Sequence, residues 1–211
     1  MQQATEIPGV REIAEEWDRR AKRTGLAKVM RASQPDNLAD DTTARTTGIV
    51  SDYLRSVGTR TALEIGCGMG RLTPVIARNA RQVTAIDMTS RMIDLARVEC
   101  AELPHVRFLR TTVQRLPWQH RRFDVAVCVW VLMHVLDEDE LAKACRAISA
   151  AARNLVLIEY EHADIPVGRY SRLRDVDDYL ALLPGSRLIE RRELSYGGDR
   201  SFAALIDLGS R

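Results

Sequence analysis

The sequence predicts an α/β fold in which helices cover both faces of a mostly parallel sheet. From Thr61 onwards, short apolar runs alternate with segments of helical periodicity, a pattern typical of parallel strands joined by crossover helices. The first apolar run ends in a glycine-rich turn at 66–70, and the second ends in a carboxylate, Asp87. Both features lie at the carboxyl ends of predicted strands, where sheets of this kind bind their ligands.

Two helices are predicted before the sheet begins. The first runs from Pro8 to Lys28, with apolar residues recurring on one face. The second runs from Thr42 to Ser56, with Asp40 or Asp41 as its N-cap.

The alternating part of the chain follows in order. Strands are predicted at 61–65, 82–86, 106–110, 123–129 and 154–160, with helices at 71–80, 90–102 and 137–151. Asp137 is expected to cap the last of these helices, with Glu140 at the capping-box position.

The C-terminal part contains a short helix and a hairpin. The helix is predicted near Val176 to Leu183, after a polar stretch. The strands Arg187–Glu193 and Ser201–Leu208 are then expected to pair around Gly197 and Gly198.

The glycine turn and Asp87 together predict a nucleotide site. Glycines let backbone N–H groups approach a ligand closely at the positive end of a helix dipole. A carboxylate about 20 residues further on can accept two hydrogen bonds from a ribose diol. Glu64 lies two residues before the first glycine. An acid there would repel a pyrophosphate but suits a ligand that carries an ammonium group and a sulfonium.

The segment 63–70, Leu-Glu-Ile-Gly-Cys-Gly-Met-Gly, resembles motif I of the class I S-adenosylmethionine-dependent methyltransferases. Further matches follow in the family's order at Asp87, at the Leu-Pro of 116–117 and at the strand and loop 123–135, so that the resemblance covers roughly residues 61–160. It implies a seven-stranded Rossmann-like sheet with an antiparallel last strand. It also implies a single domain, 1–211, in which residues 1–58 form a helical lid and residues 59–211 the cofactor-binding core.

The resemblance implies S-adenosylmethionine as the cofactor and a set of residues that hold it. Asp87 would hold the ribose and Met88 would lie against the adenine. The family's acid near the adenine is replaced by Thr112, whose hydroxyl would act as a substitute together with the Val113 backbone. The complete set is Glu64, Gly66, Cys67, Gly68, Gly70, Asp87, Met88, Thr112, Val113 and Cys128; for Cys67 and Cys128 simple packing is the competing interpretation.

The methyl acceptor is expected at the carboxyl ends of the fourth and fifth strands. Methyl transfer is an in-line displacement, so the protein mainly supplies orientation, with a base where the acceptor must lose a proton. His134 and Tyr160 are the candidate catalytic residues, and Trp17, Trp130, His134 and Tyr160 are the candidate acceptor contacts. A histidine in this loop can equally pack or bond to the backbone, and Trp17 can simply bury its helix.

Three arginines form another candidate contact. Arg169, Arg172 and Arg174 could bind an anionic acceptor, although a run mixed with aspartates usually forms a solvated surface.

The composition favours some classes of protein over others. The 31 basic and 29 acidic residues give a net charge of +2, without the basic stripe of a nucleic-acid binder. The four cysteines are widely spaced, so that neither a zinc site nor a disulfide framework is indicated and no metal is expected. No apolar run is long enough to span a bilayer and no leader precedes the chain, so a cytoplasmic location without membrane contact is expected.

Two classes of function follow. The favoured one is a methyltransferase that acts on an oxygen or nitrogen atom of a small molecule, with specialised metabolism as a compatible setting. The alternatives are a cofactor-binding partner protein without activity, and a methyltransferase that acts on a peptide or nucleic acid. The acceptor and the oligomeric state stay open.

Overall fold

A computed structural model describes residues 7–29, 36–118, 122–163, 168–196 and 199–209. Its helices are α1 (Val10–Arg20), α2 (Asp36–Ser56), α3 (Thr73–Asn79), α4 (Ser90–Glu99), α5 (Glu138–Ala151) and α6 (Val176–Ala181). Its strands are β1 (Thr61–Ile65), β2 (Gln82–Asp87), β3 (Val106–Arg110), β4 (Phe123–Val129), β5 (Ala152–His162), β6 (Arg187–Tyr196) and β7 (Asp199–Asp207). Short 3-10 helices lie at Gly25–Lys28, Val113–Arg115 and Leu132–His134.

The strands form one seven-stranded sheet in the order β3-β2-β1-β4-β5-β7-β6. The pairs among β1 to β5 are parallel, whereas β7 is antiparallel to both β5 and β6. This confirms the predicted mostly parallel sheet with an antiparallel last strand. The strand order reverses between β1 and β4, and ligands of open α/β sheets bind outside the carboxyl ends of the strands at such a point.

Apolar side chains cover both faces of the sheet, as predicted. On one face, α5 and α6 bury residues such as Leu141 and Tyr179 against the strands. On the other face, α2 and α3 contribute Val50, Tyr53 and Ile76. The Tyr53 hydroxyl donates a hydrogen bond to the Ala203 carbonyl at 3.0 Å, which fixes α2 to β7.

The helix boundaries differ from the sequence predictions at the N-terminus. The first helix ends at Arg20 rather than Lys28, because Thr24 is extended and Gly25 has a φ of +50°, which no right-handed helix accommodates. The second helix begins at Asp36, so that Asp40 and Asp41 lie inside it and do not cap it. The start of this helix was not predicted because its first turns are mostly polar and show no apolar periodicity.

Elsewhere the elements were predicted to within a few residues. Asp137 caps α5, since its carboxylate accepts a hydrogen bond from the Glu140 amide at 2.9 Å. The two-way capping box belongs to α6 instead, between Asp175 and Asp178. The helices predicted at 71–80 and 90–102 are shorter, and β5 is longer at both ends. The predicted hairpin turn at Gly197 and Gly198 lies outside the described residues.

Candidate active site

The glycine turn after β1 adopts a conformation that excludes other residues. Gly66, Gly68 and Gly70 all have positive φ, at 66°, 55° and 90°. A Cβ on Gly66 would lie 2.5 Å from Cγ2 of Val131, and one on Gly68 would lie 2.9 Å from Cγ1 of Val29. Both the backbone angles and the close neighbours therefore require glycine in this turn.

Asp87 ends β2 beside this turn and is bonded to it. Its Oδ2 accepts a hydrogen bond from the Gly68 amide at 3.0 Å. Its Oδ1 accepts bonds from the amide and hydroxyl of Thr89, at 2.9 and 3.1 Å. Burial raises the pKa of the Asp87 carboxyl, and these N–H and O–H donors act in the opposite direction. The two sequence signals thus form one unit.

Glu64 brings a second carboxyl group to the same place. It is 4% exposed, and its Oε2 accepts a hydrogen bond from the Thr73 hydroxyl at 2.7 Å. Burial raises the pKa of Glu64 to about 8, although Thr73 and the Arg71 guanidinium act against this rise. A cationic group bound nearby would favour the ionised form.

A cavity of about 630 Å³ lies at the carboxyl ends of β1, β2 and β4, and its volume is typical of small-molecule sites. Its floor includes the predicted cofactor residues Glu64, Gly66, Cys67, Gly68, Asp87 and Met88. Thr112 and Val113 line it after β3, and Trp17, Trp130 and His134 line its other side. The structure therefore brings eleven of the predicted site residues around one space.

Three predicted residues lie outside this lining. Gly70 packs against α4, where its Cβ would lie 3.1 Å from Sγ of Cys100. Cys128 is fully buried in the core cluster beside α5, because alternation along β4 turns it away from the cavity. Tyr160 stacks on Trp130, with 5.4 Å between ring centroids and 18° between planes, so it supports a lining residue instead.

Trp130 begins the loop that follows β4 and has an unusual backbone. Its φ of +54° is rare for a residue with a large side chain. The Arg71 guanidinium lies 5.2 Å from the centroid of its ring. Arg71 lines the cavity as well, and its place directly after the last glycine was a signal that the sequence reasoning did not use.

His134 ends the short 3-10 helix in the same loop. Its Nδ1 lies 2.6 Å from the backbone oxygen of Tyr170 and 3.3 Å from the Ser171 hydroxyl. Because a carbonyl oxygen can only accept, Nδ1 carries the hydrogen and Nε2 keeps its lone pair. Burial lowers the pKa of His134 to about 4; the bond to Tyr170 opposes this and the nearby Arg20 adds to it. The ring is neutral at physiological pH.

Helix α1 and the segment 168–175 pack around His134. The Trp17 ring meets the imidazole edge-on, with 4.9 Å between centroids. The Tyr170 hydroxyl donates a hydrogen bond to Glu12 of α1 at 3.2 Å. Sequence reasoning missed Tyr170, since no motif marks a residue that contributes through its backbone oxygen.

The three arginines predicted as a possible anion site are paired with carboxylates. Arg169 lies 3.0 Å from Glu12, and Arg172 and Arg174 lie 2.6 and 3.0 Å from Glu138. Arg174 is buried rather than part of a solvated surface. These pairs hold the segment 168–175 against α1 and α5.

Among the residues that the structure describes, no three His, Cys, Asp or Glu side chains are grouped to hold a metal ion. All four cysteines are among these residues and are buried free thiols. No helix among the described residues has both the length and the apolar character needed to cross a membrane.

Part of the sequence is similar to known proteins. Residues 62–154 match the family described as a methyltransferase domain. The ubiquinone biosynthesis O-methyltransferase of Albidiferax ferrireducens is 32% identical over 100 residues, 46% of this chain and 40% of the relative. The demethylmenaquinone methyltransferase of Tropheryma whipplei is 32% identical over 112 residues, 53% of this chain and 46% of the relative. The chain thus spans less than half the length of these curated relatives.

A solved structure matches nearly the whole fold. The N-methyltransferase NodS of Bradyrhizobium japonicum, in complex with S-adenosyl-l-homocysteine, superposes with a TM-score of 0.74 at 19% identity. The match covers 92% of this chain and 98% of that one, which shows a shared fold. Residues 62–154 thus match a methyltransferase domain, and the chain as a whole shares the fold of NodS, with the glycine turn and Asp87 at the carboxyl ends of β1 and β2.

Proposed function

We propose that this protein transfers a methyl group from S-adenosylmethionine to an oxygen or nitrogen atom of a small molecule. The observation that carries the proposal is that one cavity of about 630 Å³ joins the glycine turn and Asp87 to His134. A cofactor on the glycine side and an acceptor on the histidine side would then share one space.

The residues around the glycine side fit this cofactor. The Asp87 carboxylate would hold the ribose hydroxyls, and Met88, Thr112 and Val113 would surround the adenine. Glu64, a buried carboxyl with few compensating charges, suits the neighbourhood of an ammonium and a sulfonium. When bound, S-adenosylmethionine supplies an electrophilic methyl group.

The acceptor side fits a molecule with an exchangeable hydrogen. Ile13 and Trp17 form an apolar wall of the cavity, and Asp137, Asp139, Glu140 and Lys143 line it after His134. Nε2 of neutral His134 can accept a hydrogen bond from an acceptor O–H or N–H group. Its lowered pKa suits orientation of the acceptor more than storage of a proton. One curated relative is named a ubiquinone biosynthesis O-methyltransferase and another a demethylmenaquinone methyltransferase, so phenols and hydroquinones are the first acceptors to test.

The near balance of charge further supports a small-molecule acceptor over a nucleic acid. Four free thiols are compatible with a cytoplasmic location, which cell fractionation would test.

Residues 1–58 are proposed to act as a lid over the core 59–211 within a single domain. In support, Ile13 and Trp17 of α1, and Val29 after the 3-10 helix, line the same cavity as the glycine turn.

The first experiment is calorimetry with S-adenosylmethionine, S-adenosylhomocysteine and NAD, followed by transfer of a labelled methyl group to a panel of phenols, hydroquinones and amines. Binding of the first two ligands with turnover of a panel member would support the proposal. Binding without any turnover would favour the non-catalytic alternative, and binding of NAD alone would overturn the cofactor assignment.

A further inference from the structure

Glu159 is a buried carboxyl group that lies beside the cavity without lining it. It belongs to β5, where it pairs with Phe202 of β7, and its exposed fraction is 0%. Alternation along the strand points it away from the side occupied by its neighbour Tyr160. A carboxyl group in such a place is costly unless its oxygens are well satisfied.

The oxygens of Glu159 are satisfied by three consecutive backbone amides of the loop after β4. Oε1 accepts hydrogen bonds from Val131 at 3.0 Å and Leu132 at 2.7 Å. Oε2 accepts one from Met133 at 3.4 Å. These amides start the 3-10 helix Leu132–His134, and amides in a first helical turn have no partner within the helix.

The loop held in this way begins with a residue whose backbone dihedral angle is rarely adopted by residues other than glycine. Trp130, directly before the three amides, has a φ of +54°, and such a conformation persists only where the surrounding structure imposes it. Burial raises the pKa of Glu159 to about 8, with the three amides acting against the rise. Oε1 can accept its two short bonds whether or not the group carries a proton.

This loop contacts the glycine side of the cavity and carries His134 on the acceptor side. The side chain of Val131 occupies the space beside Gly66, where a Cβ would lie 2.5 Å from its Cγ2. The amide of His134 donates to the Val131 carbonyl at 3.0 Å, so the position of Val131 also sets that of the imidazole. One carboxyl group therefore fixes a contact of the glycine turn and the orientation of the histidine.

We propose that Glu159 is a positioning residue of this site, which acts through the amides of Val131, Leu132 and Met133 to place Val131 on the glycine turn and His134 beside the acceptor. The consequence for turnover rests on the proposed function. The consequence for the loop does not, and it can be measured without any ligand.

The test compares two substitutions that differ in their ability to accept hydrogen bonds. Glu159→Gln keeps an oxygen for the two shorter bonds, whereas Glu159→Met keeps the length of the side chain but accepts none. Tyr179→Phe is the matched control, because Tyr179 is fully buried near the same carboxyl group and its hydroxyl takes no part in the three bonds between Glu159 and the loop.

Hydrogen exchange measured by mass spectrometry reports on the loop directly. In Glu159→Met we expect a peptide covering 130–134 to exchange about tenfold faster or more, with Glu159→Gln close to the parent. The affinity for S-adenosylhomocysteine should fall about tenfold in Glu159→Met and change little in Glu159→Gln and Tyr179→Phe. A peptide from β2 should keep its exchange rate in all variants, which separates local loosening from global destabilisation.

Wild-type exchange of 130–134 in folded Glu159→Met would overturn the proposal, as would equal losses for Gln and Met. If the Met variant does not fold, Glu159→Asp withdraws the carboxyl group by one methylene, and the same local increase in exchange is expected. If the parent protein does not bind S-adenosylhomocysteine, the proposed function fails, while the exchange comparison still decides the role of Glu159.

Discussion

Nδ1 of His134 donates a hydrogen bond to the backbone oxygen of Tyr170 at 2.6 Å. This bond fixes the tautomer of the imidazole and leaves Nε2 as an acceptor. The hydroxyl of the same tyrosine donates to Glu12 of α1. A movement of α1 would therefore shift Tyr170 and, with it, the imidazole of His134. His134 is thus oriented from two directions, by Tyr170 and by the loop that Glu159 holds.

Substitution of His134 should affect turnover more than cofactor binding. We expect His134→Ala to lower the rate of methyl transfer about a hundredfold, with the affinity for S-adenosylhomocysteine nearly unchanged. Ser171→Ala is the matched control, because it removes only the 3.3 Å contact to Nδ1 and should leave the rate within a few-fold. Equal losses of rate and affinity in His134→Ala would make the residue structural.

His134 should also make stability depend on pH. Its pKa is about 4 in the folded protein against 6.5 ordinarily, so the unfolded chain binds the proton more tightly. The stabilisation is complete above pH 6.5 and is lost as pH falls towards 4, by at most about 3 kcal/mol.

Glu64 and Glu159 have raised pKa values and make stability depend on pH in the opposite direction. The contribution of His134 is therefore measured as the difference in unfolding free energy between the parent and His134→Gln. Denaturant unfolding at pH 7.5 and 5 measures this difference. If the free energy of unfolding changed equally with pH in both proteins, the prediction would be contradicted.

Asp87→Ala should weaken binding of S-adenosylmethionine about a hundredfold, because it removes the proposed ribose acceptor and leaves the Gly68 amide without its partner. Asp87→Asn keeps one acceptor oxygen and should lose less. Calorimetry on both variants is the measurement. Near-parental affinity in Asp87→Ala would place the ribose elsewhere.

Gly68→Val should abolish cofactor binding. The position has a φ of +55°, and a Cβ there would lie 2.9 Å from Val29, so a side chain both strains the backbone and enters the cavity. Gly48→Ala is the control, since Gly48 lies in α2 with nothing within 4 Å of an added Cβ. That change should stabilise the helix by up to about 1 kcal/mol. A folded Gly68→Val protein that still binds would show that the cofactor does not approach this turn.

Binding of S-adenosylmethionine near pH 7 should release protons. Glu64 has a pKa of about 8, so it is mostly protonated before binding, and a nearby cation favours its ionised form. Calorimetry in buffers of different ionisation enthalpy measures the released protons. Glu64→Gln should reduce their number, and an unchanged number would assign the release to another group.

The sheet was predictable from the sequence because its signals are local. The strands β1, β2, β4 and β5 contain short apolar runs, and the glycine turn and Asp87 mark where β1 and β2 end. The extension of α1 to Lys28 was wrong because apolar residues continue beyond Arg20, whereas Gly25 has a positive φ that a helix running to Lys28 could not accommodate. The start of α2 was missed for the opposite reason, since its first residues are polar.

The cofactor side of the site was likewise predictable, because its residues lie in short motifs. The supports of the acceptor side were not. Tyr170 and Glu159 act on residues 36 and 27 positions away, through a backbone oxygen in one case and three amides in the other. Tyr160 was predicted at the right edge of the sheet, but its contact with Trp130 depends on the loop conformation, which no local pattern specifies.

The insertion of β7 between β5 and β6 has a consequence for how the molecule is made. Until residues 199–207 have been synthesised, β5 has no paired strand on one side, and β6 lacks the strand that joins it to the sheet. A nascent chain would therefore display the unpaired edge of β5, the kind of edge along which strands of different molecules associate. The half of the sheet that contains Glu159 is therefore the last to be completed.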